Sequence, residues 1–380
     1  MVNKKLKFEI KKLQPKVWDL LERVIVNDKI GSAYLFAGPS GVGKEAMAIE
    51  FGAEINKYYF KENDKLAESN YTRFKILQHE LLKLVFALPS GSSKKDGGNP
   101  LDSLKEVDLQ FLNENIEEKS LNPFHKILVP GATRILINSI RELRKSLYLK
   151  SDDSGRKIVL IFDAQLLSVG QAESANSLLK ILEEPPQNTT IILVTDNKNR
   201  LLPTILSRCQ HIDFPPIRKE VIKEYLSESN SDKSSIDIIA GIAQGNMRKA
   251  LSLSNASINE LMIKINELSN IVIDTNGNEW RKFINDSSQL VRKDIAQFQY
   301  NIFLLQIWFN SVYRLKLGTS DELHQPLLLK KMEQFNRDYP TADLQKINIL
   351  LEEVVEAVGR NLYMSLILTN LLINIHKNLK

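Results

Sequence analysis

The chain has 380 residues, enough for two or three domains at roughly 150 residues per domain, and its 43% hydrophobic and 26% charged residues are typical of a folded globular protein. Its formal net charge of +5 is mildly basic and gives only weak support to a polyanionic partner. Cys209 is the single cysteine, which excludes an intrachain disulfide and a multi-cysteine zinc site.

Strand and helix patterns alternate over the first 217 residues. A helical pattern over 13–30 precedes a short apolar run, "SAYLFAG" at 32–38, then a glycine loop and a helical pattern over 44–60. A less regular region follows. From there the patterns predict strands at 83–89, 157–168, 189–197 and late in 201–217, and helices at 132–150 and 170–184. This alternation predicts a three-layer α/β domain.

The character changes after residue 217. Residues 218–256 have the pattern of short helices, and 270–380 carry long amphipathic patterns with few Gly or Pro. We therefore predict an α/β domain over 1–217, a small helical lid over 218–268 and an all-α bundle over 269–380. The N-terminus lacks the apolar segment of a secretory signal, and no apolar run approaches the ~18 residues of a membrane span, so we expect a cytoplasmic protein.

The glycine loop "GPSGVGKEAM" lies between a predicted strand and a predicted helix, as a phosphate-binding P-loop requires. Gly38, Gly41 and Gly43 would let backbone N–H groups surround phosphates, and Lys44 would reach the outermost ones. Glu45 stands where a Ser or Thr hydroxyl normally helps to hold Mg²⁺. The motif predicts the fold, and it leaves open whether ATP or ADP binds with magnesium.

A single acid, Asp163, follows the strand "KIVLIF", where ATPases of this kind carry an acidic pair. In one register Phe162 takes the magnesium position and Asp163 the position that polarises water. In the other, Asp163 holds the metal and Ala164 replaces the base. One of the two acids is missing either way, and a simple turn-capping role for Asp163 is the alternative.

Two arginines are candidates for contact with phosphate. Arg208 in "TILSRCQ" could be a transition-state arginine offered to a neighbouring subunit's ATP, because a guanidinium stays charged and its planar fork fits phosphate oxygens. Arg248 in "GNMRKALSL" would face the phosphates of the chain's own loop. The alternatives are a packed or surface-paired Arg208 and a solvated Arg248.

The predicted helix over 132–150 is basic, and Arg141, Arg144 and Lys145 share one face at spacings of three and four residues. Contact with a DNA backbone is one hypothesis, and a solvated helix face is the commoner explanation. The five histidines lack ligand spacing, so we predict no metal site among them.

In order and spacing, these motifs resemble the AAA+ clamp loader subunits of bacterial DNA polymerase III. The resemblance covers about residues 13–253 and depends most on "LLKILEEPP" and "SRC". In that family the γ/τ motor type keeps the loop Ser or Thr, an Asp-Glu pair and usually a four-cysteine zinc module. The δ′ type often has a degraded ATP site and keeps SRC. This chain looks like the δ′ type, and without zinc its residues 60–125 must be held by ordinary packing.

The resemblance implies a role in DNA replication. It implies a ring-shaped pentamer with the γ/τ and δ subunits that places the β sliding clamp on primed DNA, with 269–380 as the oligomerising collar. Arg208 would act in trans on ATP bound by the adjacent γ/τ subunit, while the chain's own site stays inert. The alternative is an active γ/τ-like or helicase-loader ATPase, which Lys44 and Arg248 keep open.

Overall fold

The computed structural model describes the residues in two compact units. One consists of residues up to 222 together with 245–248, and the other of 223–244 together with 249–380. The division into three domains at 217 and 268 stays a prediction. The described residues are 9–89, 100–149, 155–228, 233–255, 257–319, 323, 326–358 and 362–380.

A five-stranded parallel sheet forms the centre of the first unit, with strand order β2-β3-β4-β1-β5. Since β1 lies between β4 and β5, the loop that follows it leaves the interior of the sheet rather than an edge. The predicted fold class, an α/β P-loop domain, is confirmed. The strands are β1 (Ala33–Ala37), β2 (Leu82–Val85), β3 (Lys157–Ile161), β4 (Thr189–Thr195) and β5 (Gln210–Asp213).

Helices cover both faces of this sheet. Successive side chains of β1 point to opposite faces and are all buried, so each face needs a covering layer. Tyr34 and Phe36 point to one face, where each lies close to the ring of Phe51. Leu35 points to the other face and joins a separate core cluster. The helices of this unit are α1 (Pro15–Val26), α2 (Lys44–Tyr59), α3 (Asp64–Lys75), α4 (Glu106–Leu121), α5 (Ile137–Tyr148), α6 (Glu173–Glu183) and α7 (Pro203–Leu206).

Two details of the predicted elements were wrong. The region predicted to be less regular after α2 contains two helices, α3 and α4, that the pattern did not reveal. These helices bury polar residues such as Asn70 and Lys119 beside few apolar ones, which hides the helical period of hydrophobicity. The predicted strand over 157–168 ends at Ile161, since Asp163 turns the chain with a φ of 50° and 164–168 form a 3₁₀ helix.

After β5 the described part of the chain contains helices and no strand, and the predicted all-α bundle is confirmed. Its longest helix, α13, packs against α11, α12, α14 and α15 and buries Trp308 completely. Among the described residues, no helix is long and apolar enough to cross a membrane. The helices are α8 (Lys219–Glu228), α9 (Lys233–Ile242), α10 (Met247–Ser254), α11 (Ile258–Ile273), α12 (Gly277–Lys293), α13 (Ile295–Lys316), α14 (Pro326–Asp338), α15 (Leu344–Val358) and α16 (Met364–Leu379).

Buried polar contacts attach α3 to the rest of the first unit. Glu50 of α2 is buried, pairs with Lys75 and accepts a hydrogen bond from the Tyr71 hydroxyl at 2.7 Å. Beyond α3, His79 stacks on Phe74 with ring centroids 4.1 Å apart. Its Nδ1 accepts the backbone N–H of Leu81 at 3.1 Å, which requires the neutral ring to carry its proton on Nε2, beside Asn70 Oδ1.

This neutral histidine predicts a loss of stability in mild acid. Burial, with a smaller contribution from Arg73, lowers the pKa of His79 to about 4 from 6.5. Between these values the unfolded chain binds the proton and the folded chain does not, so stability falls as pH drops from 6.5 towards 4. We expect a loss of roughly 2–3 kcal/mol from this group, measured by urea denaturation across that range. His79→Gln should flatten the dependence, and a variant with an unchanged slope would contradict this explanation.

Candidate functional site

The glycine loop connects β1 to α2 and has the backbone that its sequence predicts. Gly38 and Gly41 adopt φ values of 153° and 73°, which other residues rarely adopt. A Cβ on Gly41 would lie 1.8 Å from Asn246 Oδ1, so a larger residue here would force the Asn246 side chain to move. Gly43 occupies the position before the first turn of α2.

Lys44 is the first residue of α2, and its ammonium is saturated by acceptors of the chain itself. Its Nζ donates to the carbonyl oxygens of Gly38 at 2.8 Å and Pro39 at 2.5 Å, and it lies 2.7 Å from Asp196 Oδ1. A lysine ammonium has three N–H groups, so these contacts use all of them. The side chain is 3% exposed. A phosphate could bind Lys44 only by displacing one of these partners.

Glu45, the residue that departs from the P-loop pattern, lies between two cations. Its Oε2 pairs with Lys119 of α4, and its Oε1 accepts Arg248 Nη2 at 2.8 Å. Lys119 is completely buried and also donates to the carbonyl oxygens of Pro123 and His125. Its three N–H groups are therefore used as well.

Arg248 lies at the glycine loop, as its phosphate-facing hypothesis requires, and not on a solvated helix surface. Its Nε donates to Phe124 O at 2.8 Å, and Nη1 lies 3.4 Å from Ser40 Oγ. Its principal ionic partner there is Glu45. Burial would lower the pKa of Arg248, but the carboxylates of Glu45, Asp196 and Asp163 together outweigh burial and raise that pKa.

A second group of charges lies at the carboxyl ends of β3 and β4. Lys126 Nζ contacts Asp163 Oδ1 at 2.8 Å and Asp196 Oδ2 at 4.0 Å. Asp163 occupies the position before the 3₁₀ helix, but its side chain makes no capping hydrogen bond there. An acidic pair is expected at this strand end, but Asp163 is a single acid flanked by Phe162 and Ala164. The ring centroid of Phe162 lies 5.0 Å from Lys119 Nζ.

The surrounding cations keep the carboxyl groups of Glu45 and Asp196 ionised. Burial alone would raise the pKa of Glu45, but Lys119, Arg248 and Lys126 outweigh burial and hold that pKa well below its usual range. The pKa of Asp196 is lowered in the same way, with Lys126 and Lys44 outweighing burial.

The cavity that remains among these side chains has a volume of about 10 Å³. This is roughly the space of one water molecule, far below the ~300 Å³ of a small ligand pocket. The described groups therefore do not fit a nucleotide with magnesium, because carboxylates occupy the positions beside Lys44 and Arg248 where phosphate groups would bind.

Arg208 lies elsewhere on the first unit, directly after α7, and is 35% exposed. The three residues of its motif have separate roles. Ser207 Oγ donates to Thr204 O, Arg208 extends to the surface, and Cys209 packs on the core cluster beneath α6. Arg208 does make a surface ion pair, with Glu183 at 2.8 Å, so the sequence alternative of a paired arginine is also compatible with this geometry.

The three DNA-contact candidates lie on the exposed side of α5. Ile140, Leu143 and Leu147 face the core, while Arg141, Arg144 and Lys145 are exposed. Lys145 lies 3.5 Å from Glu142, as on an ordinary charged helix surface. DNA contact by these residues stays a prediction.

Sequence reasoning missed Lys119, Lys126 and Asp196. Asp196 had a usable signal, because it directly follows a buried parallel strand, where ligand-binding side chains gather. The two lysines had no such signal, because lysine is mostly an exposed residue and the neighbouring sequence does not reveal a distant carboxylate partner.

The family described as "DNA polymerase III, delta subunit" matches residues 13–218, more than half of the chain. The chain belongs to this family. The DNA polymerase III subunit delta' of Bacillus subtilis is 26% identical over 327 residues, covering 86% of this chain and 85% of that protein.

A tau subunit and a gamma subunit-related protein of DNA polymerase III are also similar to this chain. The tau subunit of Bacillus subtilis is 26% identical over 251 residues, covering 64% of this chain but 36% of that protein. A crystal structure of a gamma subunit-related protein of DNA polymerase III from Thermotoga maritima covers 95% of this chain and 99% of that one, with a TM-score of 0.43 and 16% identity. The family and the sequence relatives support a clamp loader subunit of DNA polymerase III, and the delta' subunit of Bacillus subtilis is similar over 86% of this chain.

The Glu45–Lys119 pair predicts a stability contrast with an exposed pair. Lys119→Met leaves a buried carboxylate short of one partner, which typically costs about 3–5 kcal/mol. Lys57→Met removes the Lys57–Glu68 pair, whose side chains are 39% and 62% exposed, and should cost at most about 1 kcal/mol. Urea denaturation, with hydrogen exchange of α2 and α4 as the local measure, tests this. A loss below about 1 kcal/mol for Lys119→Met would contradict the role given to the pair.

Proposed function

We propose that this clamp loader subunit is of the δ′ type and does not hydrolyse ATP at its own glycine loop. It supplies Arg208 in trans to ATP held by an adjacent γ/τ subunit. In this role it works with γ/τ and δ to place the β sliding clamp on primed DNA. The observation that carries the proposal is the internal neutralisation of the loop by Glu45 and Asp196.

Several steps of nucleotide hydrolysis lack the groups they need in this chain. Lys44 has no N–H left for phosphate, and no hydroxyl follows it to bind magnesium. Asp163 is bound to Lys126 at 2.8 Å, and neither of its sequence neighbours, Phe162 and Ala164, is an acid that could polarise water. Binding a triphosphate would require separating buried ion pairs, and each separation costs free energy because it leaves a buried charge without its partner.

Arg208 differs from the cations of the loop because it is accessible. A guanidinium at the surface of one subunit can reach a phosphate held by another, where its planar fork binds two oxygens and stabilises the charge of the transition state. Arg208 is fixed beside a packed core through Cys209, which gives such a fork a defined base. The similarity to a tau subunit supports the proposal that γ/τ is the partner that would hold the ATP.

The γ/τ-like motor hypothesis makes the opposite prediction for the isolated chain. We expect no ATP turnover above background and no heat of ATP–magnesium binding in calorimetry, with Lys44→Ala indistinguishable from the unaltered chain. Measurable turnover that Lys44→Ala abolishes would favour an autonomous ATPase and reject the inert loop.

The arginine role predicts a defect that appears only in the complex. In a loader reconstituted with γ/τ and δ, Arg208→Ala should assemble normally. The DNA-stimulated ATPase rate should fall to that of the ATP sites that receive their arginine from other subunits. The reason is that such an arginine contributes on the order of 10³-fold or more at the ATP site it contacts. Arg200→Ala, which removes another exposed arginine before α7, is the control and should leave the rate unchanged. An unaltered ATPase in assembled Arg208→Ala loader would reject the finger.

A further inference from the structure

Two contacts hold the guanidinium of Arg208 within its own chain. Its Nη1 donates to the carbonyl oxygen of Thr204 at 2.9 Å, and its Nη2 donates to Glu183 Oε1 at 2.8 Å. Since Thr204 belongs to α7 and Glu183 ends α6, the fork is held between two different helices.

The two contacts leave part of the fork available. A guanidinium carries five N–H groups in a fixed plane. The described contacts of Arg208 use one on each terminal nitrogen, so three remain for the oxygens of a phosphate. An arginine held in this way can contact a triphosphate without giving up its internal partners.

The position of Glu183 relative to Arg208 is set by the core. Leu178, Ile181 and Leu182 of α6 are buried in the same cluster that takes Ile205 of α7. Cys209, next to Arg208, packs against this cluster too. The carboxylate and the guanidinium are therefore brought together by rigid packing of their helices, not by a chance meeting of two flexible side chains.

We propose that Glu183 is a positioning residue for Arg208 and that it orients the guanidinium fork before the neighbouring triphosphate arrives. This rests on the proposed arginine-finger function. Arginine loses much rotamer freedom when it is fixed, and a side chain already held in its working geometry loses less at the moment of binding. The ion pair itself is half exposed, at 35% and 48%, so its effect is modest and lies in orientation.

The test uses the reconstituted loader and its DNA-stimulated ATPase. Glu183→Ala should lower kcat about two- to fivefold, the range expected for an exposed ion pair, with the KM for ATP unchanged because the neighbouring loop binds the nucleotide. Glu183→Gln keeps an oxygen acceptor and should give an intermediate rate. Glu184→Ala is the matched control, because the only described contact of Glu184 beyond its helix is its backbone oxygen with the Tyr148 hydroxyl. Co-purification with the other subunits verifies that each variant is folded.

A double variant separates positioning from general damage. In an Arg208→Ala background, Glu183→Ala should have no further effect, because its action passes through that arginine. Suppose that Arg208→Ala lowers the ATPase rate. If Glu183→Ala then has no effect, or lowers the rate equally with and without Arg208, the positioning role of Glu183 is wrong and the arginine-finger role of Arg208 is kept. If Arg208→Ala has no effect, the finger is wrong and positioning fails with it.

Discussion

The carboxylate of Glu45 is the group on which the architecture of the first unit depends. It joins the start of α2 to Lys119, 74 residues along the chain, and to Arg248, 203 residues along it. In a low-dielectric interior, such cations need an anion beside them, and a nucleotide phosphate is the usual anion at a glycine loop. Here a side chain supplies that charge. The loop therefore works as a structural joint that holds α4 and segment 245–248 together.

The same argument explains why buried and exposed charges have different roles in this chain. Lys44, Lys119 and Arg248 are committed to internal acceptors, and separating any of them from its partner exposes an uncompensated charge. Arg208 has a partner as well, but in a half-exposed pair of small energy, with part of its fork unused. A cation that acts on another molecule has to be exposed and to keep some of its N–H groups available, as Arg208 does.

Residues 60–125 contribute more to this arrangement than their composition indicates. The segment places Lys119 against the loop, Phe124 O against Arg248, and His79 in a buried contact with Asn70. Each of these polar groups is buried with a defined partner, so the segment is held by specific pairs as well as by apolar packing. Because polar residues occupy buried positions of α3 and α4, the hydrophobic pattern of both helices was too weak to reveal them.

The sequence by itself determined the fold class, the strand–loop–helix context of the glycine motif and the all-α bundle. These features follow from local rules: buried parallel strands are continuous apolar runs, and amphipathic helices repeat every 3.6 residues. The tertiary structure alone decided that Asp196 neutralises Lys44, that Lys119 and Arg248 enclose Glu45, and that Glu183 holds Arg208. The chemistry of a charged residue does not specify which distant partner the packed helices and strands will bring within 3 Å, so no local pattern encodes these pairs.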